Sequence, residues 1–321
     1  MLSFLLSFAT SRLILGAEER TFVKFMRDFN VYYVGDDYHL RLGIFATNLR
    51  RIHEFNKGNH SFRLGINEFM AWTPSELTQL RGAKYMHEKP RHEKKVTLSK
   101  NKKNVESWDW RDTPNIVGPI RAQGNCGACW AFSACAAQES QWAIFGNKWV
   151  ELSVQNLVDC ATNCHGCYGG WPSSAYDYVI ENQNGHINKE AFYPYRWTTQ
   201  QCKYDPQYDY STVTGYTTIT KNDEVELAQK VAELGPASIC IDSSSFSFTW
   251  YTSGIFNIDE CSTTFFDHAV NIVGFGKEGD QDYWIIRNSW NEKWGEKGYM
   301  RMIRGVNMCG VASTAIIPID K

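Results

Sequence analysis

The spacing of apolar positions changes twice along this chain. In the front quarter Phe22, Phe25, Met26 and Phe29 recur at helical spacing, which predicts a helix over 21–30. Leu40, Ile44, Leu49, Ile52 and Phe55 make a longer stripe and predict a second helix over 36–56. Gly65 to Phe69 reads as a short strand and turn. Thr73-Pro-Ser-Glu76 is a helix start, with Thr73 as N-cap and Pro74 in the first helical position. From Arg81 to Asn104 the pattern fades into polar, basic sequence, the signature of a protease-sensitive linker, and the main boundary falls near Asn104. Beyond it Trp130 to Phe145 is rich in alanine and aromatics and stops at Gly146, which predicts a largely buried helix with Cys129 at its N-terminus. Residues 159–170 are dense in Cys and Gly and read as a stapled loop. Short helices are expected over 173–181 and 223–234. The period then shortens to that of strands, over 237–241, 269–275, 283–287 and 299–303. The rear portion is therefore α+β, helices first and sheet second, with no internal repeat.

Composition narrows the classes. Of 321 residues, 43% are hydrophobic and 14% aromatic, enough for a packed core and incompatible with global disorder. The net charge of −2 conceals a basic front and an acidic back. Residues 1–103 carry 18 Lys+Arg against 10 Asp+Glu, and the remainder 15 against 25. The basic residues lack the aromatic interleaving of a nucleic-acid surface, so no nucleic-acid partner is expected. The two halves can instead attract each other. Met1-Leu-Ser-Phe-Leu-Leu-Ser-Phe8 resembles the apolar part of a secretory leader, too short to span a bilayer, which predicts a signal peptide over 1–16 and no membrane span. All ten cysteines lie beyond residue 125, which suits disulfides in an oxidising compartment.

Three chemistries compete for Cys126-Gly-Ala-Cys129. A C-x-x-C pair can be a redox site, although the preceding Gln123-Gly-Asn125 reads as a turn rather than a strand. Together with Cys164-x-x-Cys167 it also resembles a zinc ribbon. The third chemistry is a nucleophilic thiol at a helix N-terminus, paired with a histidine that a third group orients. His268 and Asn288 follow Cys129 by 139 and 159 residues and sit at the start of one predicted strand and the end of another. Two adjacent strands could bring them together, the Asn oxygen holding one ring nitrogen and Trp290 covering the bond. Gln123 could supply an oxyanion-binding amide alongside the backbone N–H of Cys129. Zinc and redox readings leave Trp130-Ala-Phe-Ser133, Asp267-His-Ala269 and Asn288-Ser-Trp290 unexplained. The nucleophile reading uses all of them.

These segments, with Cys167-Tyr-Gly-Gly170, resemble the papain-like cysteine peptidases, the cathepsin L-like branch in particular. The resemblance runs from about Thr21 to the C-terminus. It implies a papain-like two-lobe α+β fold, a helical left lobe facing a β-rich right lobe, preceded by a small helical inhibitory propeptide over 17–103, with the peptidase over 104–321. By position it makes Cys129 the nucleophile, His268 the acid and base, Asn288 the ring orienter and Gln123 the oxyanion donor. It pairs Cys126–Cys167, Cys160–Cys202 and Cys261–Cys309, leaving Cys135, Cys164 and Cys240 over, and calls for no metal or organic cofactor. Asp37, Arg41, Phe45, Asn48, Ile52 and Asn56 match the family's interspersed propeptide motif with Asp in place of Glu. Gly65, Asn67 and Phe69 match the next one, but Ala71 stands where the family has an Asp tied to acid-triggered release.

The resemblance further places Trp171, Pro172, Cys240, Phe266, Ala269 and Thr314 around the pocket for the second residue before the scissile bond (P2), with Gly169 and Gly170 along the substrate backbone. That wall carries no carboxylate, so a bulky hydrophobic P2 is expected and a buried unpaired Arg disfavoured. Tyr168, where relatives often carry Asn, narrows the next subsite. Expected partners are peptide and protein substrates, the chain's own propeptide and cystatin-type inhibitors, acting on a monomer in the secretory pathway, in a lysosome-like compartment or outside the cell. The competing reading is a catalytically silent protein of the same fold that binds peptides.

Overall fold

The computed structural model describes residues 16–84, 90–98 and 105–320. Most of the expected leader lies outside these residues. The front domain begins with helix α1 (16–28) and the long α2 (Gly35–Lys57). Phe22, Phe25, Phe45, Leu49 and Ile52 are buried between them, as the helical spacing demands. Strand β1 (Phe62–Leu64) follows, and α3 (Pro74–Gln79) closes the domain. The expected strand at 65–69 is displaced forward to 62–64. There the backbone adds to the edge of a sheet in the rear domain, and only Gly65 N–H extends the pairing, to Trp250 O at 2.9 Å.

Thr73 caps α3 through Glu76 N–H, while the Glu76 carboxylate returns to Thr73 N–H at 2.7 Å, a full capping box. The same carboxylate is gripped by Arg41, whose two terminal nitrogens lie 2.5 and 2.8 Å from its oxygens. Arg41 also donates to the carbonyl of Ala71 at 2.9 Å. Lacking an Asp at 71, the chain satisfies this arginine with Glu76. The Arg41 hydrogen bond holds the Glu76 carboxyl down to about 2, so this pair stays intact in mild acid.

The rear domain opens with β2 (Trp108–Asp109) and α4 (Cys129–Ile144). Helices α5 (Val154–Cys160) and α6 (Pro172–Asn182) and the short pair β3 (Ile187–Asn188) and β4 (Asp209–Tyr210) complete a helical lobe. Then come β5 (Gly215–Thr218), α7 (Glu224–Leu234), β6 (Ala237–Ile241), α8 (Phe246–Thr249), β7 (Tyr251–Phe256), β8 (His268–Glu278), β9 (Gln281–Arg287), β10 (Tyr299–Ile303) and β11 (Ile316–Ile319). They form one sheet in the order β1-β7-β10-β9-β8-β6-β11-β5, with β2 on β8. This is the expected α+β architecture of two lobes behind a helical domain. One buried cluster joins the front helices to the sheet, and a second fills the helical lobe around α4.

The supposed linker is only partly one. Residues 81–84 run through the groove between the lobes, and 91–94 lie on β5. Their backbone amides find partners there, which a solvated tether would not offer.

Replacing Arg41 with Ala removes a charge-assisted fork. The front domain should lose about 1.5 kcal/mol or more, read as faster amide exchange in α2 and α3 while the amides of β8 and β9 are unmoved. Equal exchange in both variants would show the fork to be idle.

Candidate active site

Helix α4 starts at Cys129, and the residue before it, Ala128, has no capping side chain. Ala131 and Phe132 N–H bond back to Ala128 O, and the Trp130 amide of this first turn is left to act on the sulfur. The thiol is fully buried, facing the backbone N–H groups of Ala269, Gly82 and Trp130. Cys126, three residues earlier, is bonded to Cys167. That removes two of the four thiols a zinc ribbon needs and leaves Cys129 without a redox partner in its C-x-x-C. Cys160–Cys202 and Cys261–Cys309 are also bridged. Cys135, Cys164 and Cys240 are free and buried, beside Cys129.

His268 opens β8 and Asn288 directly follows β9, its neighbour in the sheet. His268 Nε2 lies 2.8 Å from Asn288 Oδ1, which also accepts from Ser289 N–H at 2.8 Å. An amide oxygen only accepts, so Nε2 carries the proton and Nδ1 holds the lone pair. Nδ1 makes no well-formed hydrogen bond, although the Leu80 carbonyl lies within reach of the ring. Trp290 lies over the ring at 4.7 Å between centroids and shields the His–Asn bond from water.

Gln123 is fully buried and its amide orientation is fixed. Oε1 accepts from Ser289 Oγ at 2.8 Å and from Trp290 Nε1 at 3.2 Å. Nε2 is left to donate to Cys126 O and to Leu80 O, both at 2.9 Å. Leu80 belongs to the front domain. Its carbonyl thus stands beside Gln123 and His268 as a substrate carbonyl would.

From there the chain crosses the groove. Gly170 N–H donates to Gly82 O at 2.9 Å, Lys84 N–H to Gly170 O at 3.0 Å, and Ala83 N–H to Asp267 O at 3.0 Å. Ala83 pairs with Gly170 in parallel. The approach is so close that a Cβ on Gly82 would fall 1.8 Å from Gly127 O. Ala83 shares one buried cluster with Trp171, Cys240 and Ala269, against which Phe266 packs. Thr314 Oγ1 receives Cys240 N–H at 3.0 Å, and Pro172 begins α6 behind this wall. Gly169 bonds through its backbone to the adjoining loop yet lies against the same segment, since a Cβ there would meet Gly82 O at 2.9 Å; Tyr168 is 82% exposed at the rim.

Occlusion decides the charge state. Burial pushes the Cys129 thiol up to about 11, outweighing the three amides that favour thiolate. It pushes His268 down to about 4. In the closed chain burial thus favours the neutral form of each, because the front segment lies over both and keeps out the water that would solvate charge.

Two contacts escaped sequence reasoning. Asn291, the residue after Asn288-Ser-Trp290, donates from Nδ2 to Glu68 Oε1 of the front domain at 2.8 Å. Burial lifts Glu68 to about 7, against the pull of Lys293. Lys293 itself reaches Asp28 O at 2.6 Å and lies over Phe29. The broad charge asymmetry is realised by few direct pairs, Arg81 Nε–Asp267 at 3.5 Å among them.

A buried thiol at a helix N-terminus, an oriented imidazole, an aimed amide and a groove filled by the chain's own front segment define a thiol hydrolase held shut by its propeptide. Comparison with known proteins agrees. Residues 104–319 match the papain family cysteine protease profile, and residues 22–77 match the cathepsin propeptide inhibitor domain (I29). Pro-cathepsin H of Mus musculus is 37% identical over 98% of this chain and 94% of its own. Digestive cysteine proteinase 2 of Homarus americanus is 36% identical over 95% and 96%. The solved digestive procathepsin L2 proteinase of Tenebrio molitor larval midgut superposes with a TM-score of 0.87 at 35% identity, covering 94% of this chain and 99% of that one. The chain belongs to the papain family of cysteine proteases and carries its propeptide inhibitor domain in front. Among the described residues no helix is long and apolar enough to cross a membrane.

Titration of the closed state follows. His268 is depressed, so it stabilises closure above its ordinary value near 6.5 and withdraws that support as pH falls toward 4, on the order of 3 kcal/mol in all. Glu68 is raised, so its closed form is favoured below about 4.5 and penalised as pH rises through 7. The two oppose each other. In a Cys129→Ser precursor, Glu68→Gln should therefore make closure firmer at pH 7 and its loss between pH 6.5 and 4 steeper. Exchange of the Ala83 amide measures this, and an unchanged profile would remove Glu68 from the account.

Proposed function

We propose that this protein is the zymogen of an endopeptidase in which Cys129 attacks the peptide carbonyl and forms a thioester. His268 Nδ1 takes the thiol proton, gives it to the leaving amine and then activates water for deacylation. Asn288 keeps the imidazole in the tautomer that can do this. Gln123 Nε2 and the Cys129 N–H stabilise the oxyanion. One observation carries the reading. The carbonyl of Leu80, from an inhibitory domain, is hydrogen-bonded to Gln123 in front of Cys129 and His268. A peptide running the opposite way would put its scissile carbonyl there. The propeptide escapes cleavage because its chain direction is reversed relative to such a substrate.

The leader would end near Gly16, the inhibitory segment near residue 103, and the mature enzyme would begin at 104. A secreted or lysosome-like destination fits the leader and three disulfides. Cystatin-type inhibitors are the protein partners expected for such a groove.

The pocket lined by Trp171, Pro172, Cys240, Phe266, Ala269 and Thr314 is read as the P2 site. In the closed chain its place beside Gly170 is taken by Ala83, a methyl group where a larger side chain would bury more. The processed enzyme should prefer Leu, Phe or Val at P2 in a peptide panel; a preference for Arg would refute the assignment. Ala83→Leu should tighten the propeptide and slow acid release about tenfold. Faster release would mean the pocket cannot hold that volume. Gln123→Ala should lower kcat by about 10²–10³ with KM little changed. A catalytically silent protein of this fold would leave Cys129 unlabelled by a peptidyl epoxide after the propeptide is removed.

A further inference from the structure

The segment after the groove has its own seat on the rear domain. Lys94 N–H donates to Tyr216 O at 2.8 Å and Tyr216 N–H to His92 O at 3.1 Å, so the chain adds to the outer edge of β5. Arg91 N–H reaches Tyr216 Oη at 3.2 Å and Lys94 Nζ reaches Thr214 Oγ1 at 2.7 Å. Glu93 bonds Thr218. On α6, Asp177 is 2% exposed at its side chain and takes His92 Nδ1 at 2.9 Å and Arg91 Nε at 3.5 Å; Glu181 takes Arg91 Nη1 at 3.2 Å. Among the described residues outside 91–94, Tyr216 Oη also donates to Asp177, at 3.1 Å. Lifting the segment away would cost Asp177 its contacts with Arg91 and His92 and open it to water.

Gly215 supplies an independent observation. Its φ is not positive, so its backbone does not require glycine. A Cβ there would meet His92 O at 2.7 Å and the Lys94 side chain at 2.9 Å. The bare edge is shaped for a strand lying on it. Neither family profile covers residues 91–94.

We infer that the β5 edge, with Asp177 and Glu181, is a docking surface of the peptidase domain for a basic extended segment, and that Arg91–Lys94 remains seated there after the groove-filling part has been cut away. This goes beyond the peptidase reading. It divides the propeptide into an inhibitor ending near Lys84 and a strand belonging to the enzyme, and it moves the working N-terminus upstream of Arg91.

Two measurements decide it. After activation of the precursor, intact mass should show a stable product starting between Lys84 and Arg91. A product starting beyond Lys94, with no peptide spanning 91–94 bound to it, overturns the proposal. In the uncut Cys129→Ser precursor, Arg91→Ala combined with His92→Ala should speed exchange of the Tyr216 amide about tenfold or more and leave Ala83 unchanged. Tyr216 exchange indifferent to those changes also overturns it. This second arm needs no activity, so it stands even if the peptidase reading fails.

Discussion

One hydrogen-bonded carbonyl governs the closed protein. Leu80 O sits against Gln123 Nε2, and the backbone that follows it seals the groove over Cys129 and His268. The seal acts through solvation as well as through bulk. Charge separation between sulfur and imidazole needs water or fixed dipoles. Inside the closed groove burial outweighs the remaining dipoles, three amides on the sulfur and the Asn288 and Leu80 oxygens on the ring. Latency is thus built into the protonation state as well as into the blocked path.

The propeptide also finishes the sheet. At one end β1 pairs with β7, where a Cβ on Gly254 would fall 2.4 Å from Ser61 O. At the other, residues 92–94 cover β5. Open strand edges invite unwanted pairing, and here both are capped by the same precursor segment. Acid response is distributed in a matching way. The Arg41–Glu76 fork resists mild acid, His268 promotes opening, and Glu68 opposes it.

Much of this was legible in the sequence. The longer helices show because their apolar positions are periodic, and the capping box at Thr73 is local chemistry; the short α5 and α8 do not show. Strands β8 and β9 show because each carries a central apolar run, and β10 because its apolar positions alternate. Strands β5, β7 and β11 do not show, since Gly215–Thr218 and Tyr251–Phe256 are short and mixed and become strands only through partners far along the chain. The candidate site was readable as motifs. What the sequence could not reveal was the suppressed charge of Cys129, because that depends on a distant segment lying over it. The seat of residues 91–94 was invisible for a similar reason: Arg-His-Glu-Lys carries no strand signal until Asp177 and Tyr216 are opposite it.

Removing the propeptide should let Cys129 ionise. The direct measurement is the ultraviolet absorbance of its thiolate, taken against a Cys129→Ala control, titrated in the precursor and in the processed enzyme. In the precursor the sulfur should stay protonated through the neutral range, titrating toward about 11. After processing it should be thiolate at and below neutrality. Superimposable titrations in the two forms would contradict the account.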